Sequence, residues 1–233
     1  LEMGGKSPFI VLDDAVINDD LVEHAANSAF WNAGQNCSAN MRQIVAKTLV
    51  EEFTQAVVKR VSEYKVGDPL SLSTDLGSMI SESHFRRVAD YIETGLREGA
   101  VPIPTGQPEV TGNFINPTIY TNVNRNMTIA KDEIFGPVLG IMSVDGIDEA
   151  LSIAKDTEYG LHATLFTQDI DRAIHIAREL PCGTVAINGF TEGDIKTPFG
   201  GYKQSGSLSR DNGTEAIEQY LQTKTIWICT KNI

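Results

Sequence analysis

PFIVLDDAVINDDLVEHAANSAFWNAGQNCSANMRQIVA, Pro8 to Ala46, reads as a strand, a helix and a second strand. Pro8 to Leu12 is an unbroken apolar run of strand length, ended by Asp13-Asp14. Such runs suit a strand covered on both faces. Asn18 or Asp19 can then accept a hydrogen bond from the free amides of a helix start. Leu21, Val22, Ala25, Ala26, Ala29 and Phe30 follow at helical spacing. Gly34 is expected to stop that helix. The Gln35-Asn36-Cys37-Ser38 stretch falls in a turn past it, and Gln43 to Ala46 looks like the second strand.

Working outward, Thr48 to Tyr64 and Ser81 to Glu98 read as amphipathic helices, the second ended by Gly99, with a loop at Gly67-Asp68-Pro69 between them. Asn113 to Tyr120 is expected to be extended. Val138 to Val144, Ala163 to Phe166 and Thr184 to Ile187 read as strands, and Asp148 to Lys155 and Asp169 to Leu180 as helices. This alternation predicts an α/β domain, a largely parallel sheet flanked by helices. Asn188 to Ser209 has five glycines and no periodicity, and a loop of that length is usually functional. Glu215 to Tyr220 resumes a helix, and Thr223 to Cys229 reads as a terminal strand with no hairpin partner before it.

Composition narrows the partners. A net charge of −12 repels phosphate backbones and anionic lipid, which argues against nucleic acid and membrane surfaces. No apolar run approaches the roughly 20 residues a membrane helix needs, and no basic-then-apolar signal pattern opens the chain. It starts without methionine and enters a motif within two residues, so it reads as a piece of something longer. The three cysteines, Cys37, Cys182 and Cys229, allow neither a disulfide framework nor a C-x-x-C metal or redox pair. A reducing cytoplasm is the expected setting, and no metal site is expected.

Gly5-Lys6-Ser7 resembles the tail of a P-loop, but a strand-like run occupies the place where that motif needs a helix. No G-x-G-x-x-G is present. Cys182 and Cys229 read as small buried hydrophobes. Cys37 differs, because polar, turn-forming residues flank it. At an ordinary pKa of about 8.5 only a few per cent of a thiol is ionised at neutral pH, so a nucleophilic role needs a base or a positive field. His24, His84, His162 and His175 are each isolated in sequence.

LEMGGKSP at Leu1–Pro8 resembles the glutamate motif of the aldehyde dehydrogenase family, and WNAGQNC at Trp31–Cys37 its cysteine motif. KDEIFGPV (Lys131–Val138), KDTEYGL (Lys155–Leu161), GTVAIN (Gly183–Asn188) and PFGGYKQSG (Pro198–Gly206) follow in family order. The resemblance implies the catalytic portion of the fold. Residues 1–6 end a missing cofactor-binding domain, 7–222 form the catalytic domain, and 223–233 supply an oligomerisation strand. It implies NAD or NADP as cofactor, and a homo-oligomer, dimer or tetramer. Cys37 becomes the nucleophile and its backbone N–H one oxyanion donor; Glu2 becomes the base for deacylation. Glu133 and Phe135 hold the nicotinamide end, and Arg87 lies near the adenine ribose.

The residue types fit that chemistry. An aldehyde has no leaving group, so hydride departs only after a nucleophile makes the carbon tetrahedral, and a thiolate then leaves a thioester for activated water. Within the family, Asn188–Gly206 and Lys224–Ile228 most resemble the aminoaldehyde branch, including γ-glutamyl-aminobutyraldehyde enzymes. Trp31, Phe190 and Phe199 would then line an apolar passage, Asn36 and Ser38 would flank the nucleophile, and Glu192 and Asp194 would face an ammonium group. At about 4 Å that attraction is roughly 1 kcal/mol in water and about 4 kcal/mol at an effective dielectric of 20. Two other readings stay open: a cysteine-dependent hydrolase or esterase without nucleotide, favoured by a histidine beside Cys37, and a non-catalytic assembly domain, favoured by an inert Cys37.

Overall fold

The computed structural model describes residues 3–106, 111–191 and 193–230. Its elements run β1 (Pro8–Val11), α1 (Asp19–Phe30), β2 (Arg42–Ala46), α2 (Val50–Ser62), α3 (Glu82–Arg97), β3 (Val101–Ile103), β4 (Thr118–Thr121), α4 (Thr128–Lys131), β5 (Val138–Val144), α5 (Ile147–Lys155), β6 (Tyr159–Gly160), β7 (His162–Phe166), α6 (Ile170–Glu179), β8 (Thr184–Ile187), β9 (Tyr202–Lys203) and α7 (Glu215–Glu218). Seven strands form one sheet in the order β3-β4-β5-β2-β1-β7-β8. All neighbours are parallel except β3 with β4. β6 and β9 form a separate two-residue ladder.

The apolar runs are continuous because both sheet faces are covered. Phe9 and Val11 of β1 pack with Ala25, Phe30 and Phe53 on the side of α1 and α2. Ile10, between them, packs with Ile44, Met142, Ala150 and Leu165 on the opposite side, which also carries α6. Side chains alternate across a strand, so a strand between two helical layers needs apolar residues at every position.

Helix starts follow the sequence reading. Asn18 Oδ1 accepts the Leu21 amide at 2.9 Å, Ser81 Oγ accepts that of His84 at 3.2 Å, and Asp169 Oδ1 accepts that of Asp171 at 2.9 Å. The carboxyl end of α5 is capped from far away. Buried Arg42 donates to the carbonyls of Ile153 and Ala154, each at 3.1 Å, and through Nε to that of Lys6 at 3.0 Å. Cations are favourable at a helix carboxyl end, and here one side chain also fixes the segment leading into β1.

Several expectations need correction. The α-helix ends at Phe30, not Gly34, because Asn32 and Ala33 take left-handed φ values of 53° and 55° inside a tight turn, Trp31–Gly34. Among the described residues Thr223 to Cys229 forms no strand ladder. Cys229 in that segment is exposed, not buried. Of Asn113 to Tyr120, only the last three residues enter a strand, and β3, unforeseen, pairs antiparallel at the sheet edge with Pro102 inside it. Proline is tolerated at an edge.

Candidate active site

Four segments meet at the amino ends of the parallel strands: Gly4–Ser7 before β1, Gln35–Asn40 before β2, Asp132–Pro137 before β5 and Gly160–Leu161 before β7. α1 delivers the chain to the Cys37 turn. Asn36 Oδ1 accepts the Ser38 amide at 3.0 Å, and Cys37 Sγ lies 4.0 Å from Ser38 Oγ. Asn40, fully buried, anchors the turn by donating to the Pro8 carbonyl at 2.9 Å and accepting from Thr164 Oγ1 at 3.0 Å. Gln35 ties it to the segment before α3, donating to the Ser78 carbonyl at 3.2 Å and accepting the Ile80 amide at 2.8 Å. Cys37 is half-buried and Ser38 buried.

Glycine is required where these segments cross. A side chain on Gly5 would put its first carbon 2.5 Å from the Cys37 carbonyl oxygen, and one on Gly4, at φ 118°, would come within 2.3 Å of Glu133 Oε2. The bare backbone therefore lets Glu133 settle against the glutamate motif, where its Oε1 accepts the Gly5 amide at 3.1 Å. Burial raises the Glu133 carboxyl pKa, opposed by that amide and by the charges of Lys6 and Arg87. Lys6 is wholly buried, and its Nζ has no hydrogen-bond partner among the described residues. Burial pushes its pKa down to about 7, with Arg42 adding to the fall and Asp132 and Glu133 opposing it.

Phe135 takes φ 58°, and its carbonyl lies 2.6 Å from His84 Nε2. Arg87, expected near the adenine ribose, donates to the Glu133 carbonyl at 3.2 Å. Other expected site residues make local contacts of their own. Trp31 is 53% exposed at the end of α1. Phe190 packs edge-on to His162 with ring centroids 5.4 Å apart, and its amide donates to His24 Nδ1. Asp194 is exposed and accepts the Lys196 amide at 2.8 Å, while half-buried Phe199 exchanges backbone hydrogen bonds with Asp211. Glu2, the expected base, and Glu192 lie outside the described residues.

Three of the four histidines make contacts of their own: His24 receives the Phe190 amide, His84 meets the Phe135 carbonyl and His162 Nε2 lies 2.9 Å from the Thr191 carbonyl. Burial pushes the His162 pKa down to about 4, so the ring is neutral at physiological pH. Sequence reasoning missed Lys6 and His84. Lys6 stood inside a quoted motif, but nothing in the sequence marked it as buried, and His84 had no signal beyond its place in the first turn of a helix.

Comparison with known proteins decides the affiliation. The aldehyde dehydrogenase family profile matches residues 1–226. The chain belongs to the aldehyde dehydrogenase family. The chain is 40% identical over 228 residues to the aminoacetaldehyde dehydrogenase of Pseudomonas aeruginosa, covering 98% of the chain and 46% of that protein. The aldehyde dehydrogenase KauB from Pseudomonas aeruginosa superposes with a TM-score of 0.93 at 37% identity, covering 98% of the chain and 46% of KauB. Betaine aldehyde dehydrogenase from Staphylococcus aureus, solved in complex with NAD+, gives a TM-score of 0.90 at 37% identity, with 96% and 45% coverage. The chain thus spans about half the length of these relatives. Its parallel sheet flanked by helices is the fold expected from the sequence.

Proposed function

We propose that the chain supplies the catalytic part of an NAD-dependent aldehyde dehydrogenase, in a protein that pairs it with a cofactor-binding part. The observation that carries this reading is the convergence of Gly4–Gly5, the Cys37 turn and Glu133 at one edge of the sheet. The nicotinamide end of the cofactor suits these residues, because Glu133 offers a half-buried carboxylate for ribose hydroxyls and Phe135 an aromatic face. Bound NAD supplies the hydride acceptor.

The Cys37 thiolate adds to the aldehyde carbon, and the carbonyl electron pair moves to oxygen, where the Cys37 backbone N–H stabilises it. Loss of hydride restores the carbonyl and leaves a thioester on Cys37. Glu2, placed by its motif, takes a proton from water as that water attacks. The C–S bond then breaks, releasing the carboxylate and the thiolate. The hydrolase reading is not favoured, given the family and the contacts of the histidines.

The substrate is an aminoaldehyde in this reading, supported by the likeness to an aminoacetaldehyde dehydrogenase and by exposed Asp194. Trp31, Phe190 and Phe199 contribute apolar surface to its approach, and Asn36 and Ser38 shape the nucleophile's turn. The protein assembles as a homo-oligomer through its terminal segment, where Leu221, Ile226, Trp227 and Ile228 are exposed. No described helix is long and apolar enough to cross a membrane, and a cytoplasmic setting suits the free thiols.

The test is rapid-mixing kinetics of the full-length enzyme with NAD+ and an aminoaldehyde. Glu2→Gln should give a burst of NADH followed by slow turnover, because deacylation alone needs the base. An unchanged steady-state rate would remove Glu2 from the mechanism, and absence of any aldehyde-dependent NADH in the unsubstituted enzyme would overturn the reading.

A further inference from the structure

We propose that one face of α3 is a positioning device for the loop Asp132–Gly136, and that His84 is the residue in it that sets Phe135. The proposal rests on the reading that Glu133 and Phe135 meet the nicotinamide end of the cofactor. His84, Arg87, Val88 and Tyr91 are spaced three, four and seven residues apart from the first, so they share one side of the helix. Each engages a residue of the loop. Tyr91 donates its hydroxyl to Asp132 Oδ2 at 3.1 Å. Arg87 donates to the Glu133 carbonyl at 3.2 Å, its guanidinium 5.7 Å from the centre of the Tyr91 ring. Val88 is fully buried against Gly136, where an added side chain would come within 2.6 Å of the valine methyl. His84 Nε2 reaches the Phe135 carbonyl at 2.6 Å, and the two rings meet edge to face, centroids 6.0 Å apart.

Phe135 is the strained member. A bulky residue at φ 58° is uncommon and persists where surrounding contacts determine it. A carbonyl can only accept, so His84 Nε2 carries the hydrogen. The helix is itself tied to the nucleophile. Gln35, two residues before Cys37, accepts the Ile80 amide, and Ser81 beside it caps the first turn at the His84 amide. The first turn of α3 therefore links the Cys37 turn to the Phe135 loop by hydrogen bonds along one short path. A shift of this turn would move both.

The test uses the full-length dehydrogenase and reads the Kd for NAD+ by titration calorimetry, beside KM for the aldehyde and the unfolding temperature. His84→Leu removes the donor and should weaken NAD+ binding about three- to tenfold, the range of one lost hydrogen bond, with aldehyde KM and unfolding temperature little changed. His84→Gln keeps an N–H donor and should restore the Kd to within about twofold. Equal NAD+ affinity in His84→Leu and the unsubstituted protein would overturn the proposal. So would a loss of unfolding temperature shared by Leu and Gln with no difference in Kd between them, which marks a merely structural residue. Glu133→Gln and Phe135→Ala separate the two levels. If both leave the Kd unchanged, the nicotinamide reading fails and this inference with it; if they weaken binding while His84→Leu does not, only the inference fails.

Discussion

Glu133 accepts the Gly5 amide at 3.1 Å across 128 residues of sequence. The bond joins the loop before β5 to the segment before β1, strands that are not neighbours, since β2 lies between them. The Cys37 turn precedes β2, so the bond passes beside it, and Gly5 lies against the Cys37 carbonyl from the same position.

Gly4→Ala should displace Glu133. The new methyl would lie 2.3 Å from Oε2, and the backbone holds φ 118°, a region that suits glycine. Backbone strain of this kind costs about 1–3 kcal/mol. Denaturant unfolding should show that loss, and calorimetry a weaker NAD+ affinity. A variant with unchanged affinity and stability would show that Glu133 does not depend on this cradle.

Alkylation should sort the cysteines. Burial pushes the Cys182 thiol up to about 12, against the pull of Lys203 and the Thr184 carbonyl contact, so it carries almost no thiolate at neutral pH. Mass spectrometry after limited iodoacetamide should find Cys37 modified and Cys182 untouched, with activity lost in step with Cys37. Cys37→Ser should abolish dehydrogenase turnover, while Cys182→Ser and Cys229→Ser largely keep it. The nucleophile assignment is wrong if the serine at position 37 supports near-normal rates.

Acid should unfold the protein through His162. Its folded pKa of about 4 lies below the ordinary 6.5, so the unfolded chain binds the extra proton. Stability is therefore fully present above pH 6.5, falls as pH drops toward 4, and is flat for this group below that; at 1.36 kcal/mol per pKa unit the loss is about 3 kcal/mol. Lys6, lowered from 10.5 to about 7, acts in the same direction in a higher window, so stability should rise as pH climbs above 7. His162→Phe should flatten the acid limb and Lys6→Met the alkaline one in denaturant titrations between pH 4.5 and 9.5. Slopes identical to those of the unsubstituted protein would refute the corresponding burial.

Selectivity should report the loop charge. An ω-aminoaldehyde should exceed a straight-chain aldehyde of equal length in kcat/KM by about tenfold, which corresponds to roughly 1.4 kcal/mol. Glu192→Gln with Asp194→Asn should erase most of that difference. Asp194 is exposed, where screening is strong, so the effect should also shrink at high salt. Equal values for both aldehydes, unmoved by the double substitution, would leave a general aldehyde dehydrogenase.

What was legible in the sequence is the part that local rules govern. A continuous apolar run marked β1, mostly apolar segments alternating with helices marked β5 and β7, and Asn18, Ser81 and Asp169 stand at helix starts, where each presents an oxygen to free amides. The end of α1 was not legible, because an alanine at positive φ runs against its intrinsic preference and only the tertiary setting of the Cys37 turn selects it. Thr223 to Cys229 has the side-chain pattern of a strand, but a strand also needs a partner, and among the described residues this segment joins no ladder. The Cys37 and Glu133 positions could be read from their motifs, whereas the bond from Gly5 to Glu133 and the grip of His84 on Phe135 are contacts between distant segments.

The opposite edge of the sheet has a different use. At the carboxyl ends of β2 and β5 the chain turns through Lys47 and Asp145, which pair with each other at 3.3 Å and are 71% and 76% exposed. The segments that carry Gly5, Cys37 and Glu133 all precede their strands, so each is separated from these turns by the length of a buried strand. A fluorophore or a short peptide grafted at Lys47 or Asp145 would sit a full strand length from the Cys37 turn, which makes this rim a place to attach a reporter of that turn's surroundings.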